Sequence, residues 1–206
     1  PLYSSAASDV YKRQMQYQQG QKSFTALETV KKMIAISDNT ATNMLIKRMG
    51  GKAVLDQRFQ AWGLTHTQIH NLLPDLEGTN MTSSKDLATV LLKVNQGELI
   101  SLKSRDRLLG IMQETKTRTL LPPGLESGAI ISHKTGDIGT VLGDAGIIDM
   151  PSGKRYIQAI IAKRPYNDIA ARILIQDMSR ATYQHLKATE SMPATKPPSV
   201  PTKVAT

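Results

Sequence analysis

The run His133-Lys134-Thr135-Gly136-Asp137 places an ammonium, a hydroxyl and a stretch of unencumbered backbone side by side. That combination suits an anionic or carbonyl substrate. An ammonium and a hydroxyl hold a carboxylate, while a fixed N–H faces the oxyanion that develops during acyl transfer. A second group, Ser37-Asp38-Asn39, offers a hydroxyl, a carboxylate and a carboxamide in succession. Each group also has an ordinary structural use. Lys-Thr-Gly describes many solvated strand ends, and Ser, Asp and Asn cap helices by accepting from free N–H groups.

Both groups fall at the ends of predicted elements. Thr25-Ala26-Leu27-Glu28 has the capping-box pattern, and Leu27, Val30, Met33 and Ile34 line one face of the helix that follows. A second amphipathic helix runs through Met44, Leu45 and Met49 until Gly50-Gly51 ends it, which puts Ser37 to Asn39 in an interhelical loop. A third helix covers Ala53 to Trp62, and Leu72 to Asn80 reads as a loop punctuated by Pro74 and Gly78. Two more helices start at Ser83-Ser84-Lys85-Asp86, burying Leu87, Val90, Leu91 and Val94, and after Ser104, burying Leu108, Ile111 and Met112. Pro122-Pro123-Gly124 closes this helical half.

Ala129 to Ser132 then has the β-branched character of a strand leading into Lys134. Gly136, Gly139 and Gly143 mark a turn, Gly146 to Asp149 returns, and Tyr156 to Ala162 forms a third strand after the turn at Pro151-Ser152-Gly153. Asn167 to Leu186 is a closing helix. The order predicts an α+β fold, an antiparallel sheet flanked by helices with an all-helical half. The termini are of another kind. Residues 4–14 resemble the translated end of a transposase adapter used in sequencing libraries, so residues 1–14 are set aside as non-native. Residues 189–206, with Pro193, Pro197, Pro198 and Pro201 among Thr, Ser and Lys, read as a disordered tail. Residues 15–188 remain as one partial catalytic domain.

Composition narrows the function classes. The net charge is +9, but Lys and Arg are scattered among acids, and two Phe and one Trp offer little to stack on bases, which argues against nucleic acid. No cysteine is present, so disulfides, thiolate metal sites and Cys nucleophiles are excluded. No apolar run reaches the roughly 18 residues of a membrane span. His66 and His70 have a helical metal-ligand spacing, yet no Glu-x-x-His pattern accompanies them and the segment has turn character. His133 reads as a strand-packing residue.

Ser37-Asp38-Asn39 on a helical half and Lys134-Thr135-Gly136 on a sheet are, together, a far more specific signal than either alone. From about Thr25 to Leu186 the chain resembles the class A β-lactamases and penicillin-binding serine hydrolases, through Ser-Asp-Asn-Thr-Ala-Thr-Asn, His-Lys-Thr-Gly-Asp and Gly-Asp-Ala-Gly-Ile-Ile. The resemblance implies roles. Ser37 would relay a proton from the nucleophile toward the leaving nitrogen, and Lys134 would supply the field that steadies this relay. Asn39 would bind the substrate's side-chain amide, Thr135 its carboxylate, and the Asp137 N–H would form half of an oxyanion hole, with Gly136 letting the substrate lie against the strand. The implied substrate is a β-lactam or a cell-wall peptide. No cofactor and no metal are implied, the complete protein would be a monomer, and the compartment would be periplasmic or extracellular.

The sequence departs from the pattern in several places. No Ser-x-x-Lys occurs in the 206 residues, which fits a fragment lacking the N-terminal strands and the nucleophile helix. Leu73 stands where class A enzymes carry the deacylating glutamate, leaving Glu77 and Asp75 as water-positioning candidates. The loop's usual Arg-Asp pair becomes Asn71 and Asn80, and Ala145 replaces an arginine often found on the second strand. A penicillin-binding peptidase or esterase and a catalytically silent binding module are the rival expectations.

Overall fold

The computed structural model describes residues 23–190; the adapter-like segment and residues 191–206 of the proline-rich tail lie outside them. Its framework is a three-stranded antiparallel sheet of β1 (Ile130–Asp137), β2 (Val141–Asp149) and β3 (Arg155–Lys163), in that order. Among the described residues five α-helices precede the sheet: α1 (Ala26–Ala35), α2 (Asn39–Arg48), α3 (Gly51–Ala61), α4 (Ser84–Gln96) and α5 (Leu102–Gln113). Helix α6 (Ala170–Glu190) follows it.

Alternation along the strands gives the sheet two apolar faces. On one, Ile131, Leu142, Ile148 and Ile160 pack with Leu120 and Leu121 against Ala171 and Ile175 of α6. On the other, Ala145 and Ile147 meet Ile34 of α1, Leu91 of α4, and Leu109, Ile111 and Met112 of α5. Burying each such Leu or Ile contributes about 1.5–3 kcal/mol, so the sheet and its helices act as one body. The register pairs His133 with Gly146, Lys134 with Ala145 and Thr135 with Asp144. His133 and Thr135 therefore share the α6 side with Ile131, and Lys134 and Gly136 face the helical half. No helix among the described residues is long and apolar enough to cross a membrane.

The elements differ from the sequence reading mainly at glycines. Gly51 opens α3 rather than ending α2, with Gly50 at φ 102° between them. Only Gly139, at φ +87°, serves the β1–β2 turn; Gly136 and Gly143 lie inside strands, and β2 begins at Val141. Gly143 is small because a Cβ there would stand 3.0 Å from the Ile160 carbonyl oxygen. The helix placed after Ser104 starts earlier, because Ser101 is its N-cap and accepts from the Ser104 N–H. Helix α6 takes in Thr189 and Glu190, the first residues of the segment read as a tail.

Candidate functional site

The capping box at Thr25 is formed in full, with Glu28 accepting from the Thr25 N–H at 2.8 Å, and it fixes the start of α1. That helix ends at Ala35. Asp38, wholly buried, N-caps α2 by accepting from the Ala41 N–H at 2.9 Å, and Asn39 is the first residue of α2 rather than part of a loop. Ser37, held between the two helices, takes φ of 56°. For a residue with a Cβ that conformation costs about 1–3 kcal/mol, and such outliers cluster at functional sites. Lys134 Nζ donates to Ser37 Oγ across the gap between sheet and helices, and also to the Thr135 carbonyl at 2.6 Å.

These residues line a cavity of about 670 Å³, together with Asn39, Thr135, Gly136, Asp137, Leu73 and Asp75. Its size is that of a small-molecule site. The direction of the Asp137 N–H follows from the ladder. Ile138 N–H bonds the Val141 carbonyl of β2, so by antiparallel alternation the peptide groups of His133, Thr135 and Asp137 turn away from β2. The His133 and Thr135 carbonyls do so, accepting from Thr115 Oγ1 and Lys134 Nζ. A Cβ at Gly136 would meet nothing within 4 Å, which leaves the strand end open to a ligand.

Asparagines hold the loop over the cavity at its base and neck, and a carboxylate braces it from inside. Asn43, one turn after Asn39 on α2, clasps the Leu73 backbone on both sides: its Nδ2 donates to the Leu73 carbonyl at 2.6 Å and its Oδ1 accepts from the Leu73 N–H at 2.9 Å. Asn80 Oδ1 accepts from the His70 and Asn71 N–H groups, while its Nδ2 donates to the Asn71 carbonyl. Asn71 and Asn80 thus close the loop neck without charge. Inside it, Asp75 accepts from Thr79 Oγ1 at 2.8 Å and from the Asn80 N–H at 2.6 Å. Burial works to raise the Asp75 carboxyl, but the hydrogen bonds from Asn80 and Thr79 outweigh it and hold the group below its ordinary value. Both oxygens of Asp75 are therefore engaged in the loop. Glu77 is exposed and is not among the cavity-lining residues, so of the loop's side chains Leu73, Pro74, Asp75 and Leu76 form that wall.

Two long-range pairs escaped the sequence reading. His133, wholly buried as a packing residue, bonds Asp144 through Nδ1 at 2.9 Å, and Asp144 also accepts from the Leu121 N–H at 3.1 Å. Gly146 makes room for that histidine, since a Cβ there would stand 2.7 Å from the His133 Cβ. Arg164, at the end of β3, reaches Asp137 Oδ1 at 2.7 Å and the Gly139 carbonyl at 2.8 Å. An Arg-Pro dipeptide closing a strand was the only sequence signal for it.

The model of the beta-lactamase enzyme family matches residues 3–186. Extended-spectrum beta-lactamase PER-1 of Pseudomonas aeruginosa is 30% identical over 161 residues, 71% of this chain and 52% of that protein. The chain spans about half the length of the curated relatives it matches. Among solved structures, PBP-A superposes with a TM-score of 0.83 at 57% identity, over 84% of this chain and 66% of that one. A Leu-to-Glu mutant of PBP-A, solved as its acyl-enzyme complex with penicillin G, matches equally well. TLA-1 extended-spectrum beta-lactamase, at 23% identity and a TM-score of 0.74 over 84% of this chain and 68% of that one, shares the fold. With its α+β fold and with Ser37 and Lys134 meeting at one cavity, this chain belongs to the beta-lactamase enzyme family.

Proposed function

We propose that the chain forms the Ser-Asp-Asn and Lys-Thr-Gly walls of a serine acyl-transfer site that reacts with β-lactams, its nucleophile coming from a Ser-x-x-Lys segment of the full-length protein that carries this chain. The observation that carries the reading is the hydrogen bond from Lys134 to Ser37 at the wall of the cavity, which Thr135 and Asp137 also line. In the reaction the serine oxygen bonds to the β-lactam carbonyl carbon and the ring C–N bond breaks. The serine proton travels through Ser37 to the departing nitrogen. The Lys134 charge favours Ser37 as acceptor and then donor, Thr135 holds the substrate carboxylate, Asn39 its side-chain amide, and the Asp137 N–H the oxyanion.

The penicillin G complex of the PBP-A mutant supports penicillin as a reacting class. Leu73 decides the outcome after acylation. An ester is cleaved quickly only by an activated water, leucine neither accepts a proton nor orients water, and the acids nearby are committed to the loop or to solvent. The protein is therefore acylated faster than it is deacylated. Intact-protein mass spectrometry of the full-length protein with penicillin G tests this: a stoichiometric adduct that persists is expected. No adduct would point to a silent binding module, and rapid hydrolysis without an adduct to an efficient lactamase.

A further inference from the structure

We infer that Lys116 and Arg172 form a second anion subsite in the cavity, one that takes an acidic group on the departing half of the substrate. The inference rests on the acyl-transfer reading above, in which Thr135 already holds one carboxylate. That reading leaves one wall of the cavity unused. Lys116, Thr117 and Thr119, from the segment after α5, and Arg172, from the first turn of α6, line the cavity and are all exposed. Among the described residues neither the Lys116 ammonium nor the Arg172 guanidinium has an ion-pair or hydrogen-bond partner. The carboxylates on the lining are engaged elsewhere, Asp75 within its loop and Asp137 with Arg164 at 2.7 Å. The wall therefore presents two uncompensated positive charges to the cavity, and an anion is the ligand that matches them.

Hydrogen bonds to its backbone place this wall on the side of the departing nitrogen. The Lys116 N–H donates to the Ala35 carbonyl at 2.9 Å, which sets Lys116 against the end of α1, two residues before Ser37. Gln176 Nε2 donates to the Thr119 carbonyl at 2.9 Å, which joins the other end of the wall to α6 one turn beyond Arg172. Thr135 lies on the α6 side of the sheet as well. The wall thus runs from Ser37, the proposed donor to the departing nitrogen, toward Thr135, while Asn39 and the loop that Asn43 clasps bound the acyl half. Its backbone is also fixed at both ends: Thr115 Oγ1 donates to the His133 carbonyl at 2.8 Å, and buried Asp144 accepts from the Leu121 N–H at 3.1 Å. A fixed backbone lowers the ordering cost of binding. The β-lactam that fits carries a further carboxylate on the ring fused at the departing nitrogen. The peptide that fits ends in an acidic residue, released as a dicarboxylate.

The test uses the full-length protein and two cephalosporins. They share one acyl side chain and the ring carboxylate, and differ only in a retained substituent at C3, which ends in a carboxylate in one and in a carboxamide in the other. Acylation rates are read by intact-protein mass spectrometry for the unmodified protein, Lys116→Gln and Arg172→Gln. The acid is expected to acylate the unmodified protein about tenfold faster than the amide at low salt, the lower end of electrostatic enhancement. In each variant that ratio falls toward one. Because the amide is the internal reference, a variant that merely folds less well lowers both rates and leaves the ratio alone. Salt carries the test should neither variant fold, since the acid's advantage in the unmodified protein is expected to shrink as ionic strength rises. Equal rates for acid and amide, an advantage that salt does not change, or a ratio unchanged in both variants would overturn the inference and leave the acyl-transfer reading standing. Absence of any adduct with either cephalosporin would overturn both.

Discussion

Ser37 shows most directly how chemistry and conformation compete at a single residue. Its left-handed backbone suits glycine, yet its hydroxyl is the group that Lys134 addresses. Two substitutions separate these contributions. Ser37→Ala keeps the unfavourable φ and loses the hydrogen bond, while Ser37→Gly loses the bond but relieves the strain, so the glycine variant is expected to be more stable than the alanine variant by about 1 kcal/mol. Both should slow acylation at least about 10²-fold through loss of the proton relay. Equal melting temperatures for the two would show that no strain is stored there. Asp75 gives the same scale a pH dependence. Its carboxyl is held below the ordinary value in the folded state, so its contribution to stability is present above the unfolded-state pKa and is lost as pH falls through the folded one. The Asn80 amide, which donates to Asp75, is expected to be protected against hydrogen exchange, relative to the intrinsic rate at each pH, at neutral pH and to lose that protection below the ordinary carboxylate value of about 3.9. In Asp75→Asn it should exchange faster at neutral pH and lose that acid dependence; equal protection of the two proteins at neutral pH would count against Asp75 as the loop's brace.

At the level of elements, β1 is the piece on which everything converges, and two of the sheet's glycines report on it in opposite ways. A Cβ at Gly146 would collide with the His133 Cβ at 2.7 Å and the Ser132 carbonyl at 2.9 Å, so Gly146→Ala forces β1 and β2 apart and is expected to destabilise by about 1–3 kcal/mol. Gly136→Ala meets no protein atom and should not lower the melting temperature, but its methyl would stand where the substrate is proposed to lie, so acylation is expected to slow. Denaturant melts of both variants with their acylation rates check the pair; a destabilised Gly136→Ala with normal chemistry would remove Gly136 from the site. These glycines also mark the limit of the sequence reading. Glycine serves either positive φ or close approach, and composition does not say which: Gly136 and Gly143 read as turn residues in the sequence, whereas only Gly139 is one. The capping box at Thr25, the Asp38 cap and the Lys-Thr-Gly strand were legible because each is written in neighbouring residues. The Asn43 clasp on Leu73, the His133–Asp144 pair and the Arg164 fork join distant segments, and nothing local encodes them. Asp75 and Glu77 look alike as sequence, and only burial separates the braced carboxylate from the solvated one.

For the whole molecule, the consequences concern assembly and turnover. Strand β3 has no neighbour beyond it among the described residues, and Ile169, Ile173, Leu174 and Met178 of the closing segment are 44–60% exposed. An open strand edge beside apolar side chains recruits other chains, so the 206-residue chain by itself is expected to self-associate, as sedimentation would show; a monomer with one sharp thermal transition would contradict that. Without a Ser-x-x-Lys, the same chain is expected to take up no penicillin in an intact-mass experiment, and an adduct on any Ser or Thr would contradict it. The full-length protein is where the Ser37–Lys134 site and Leu73 meet their direct test, a stopped-flow reaction with a chromogenic cephalosporin. The expected trace is a burst of one equivalent per protein followed by a slow phase, with the adduct still present by mass. Fast linear turnover with no burst and no trapped adduct would contradict it.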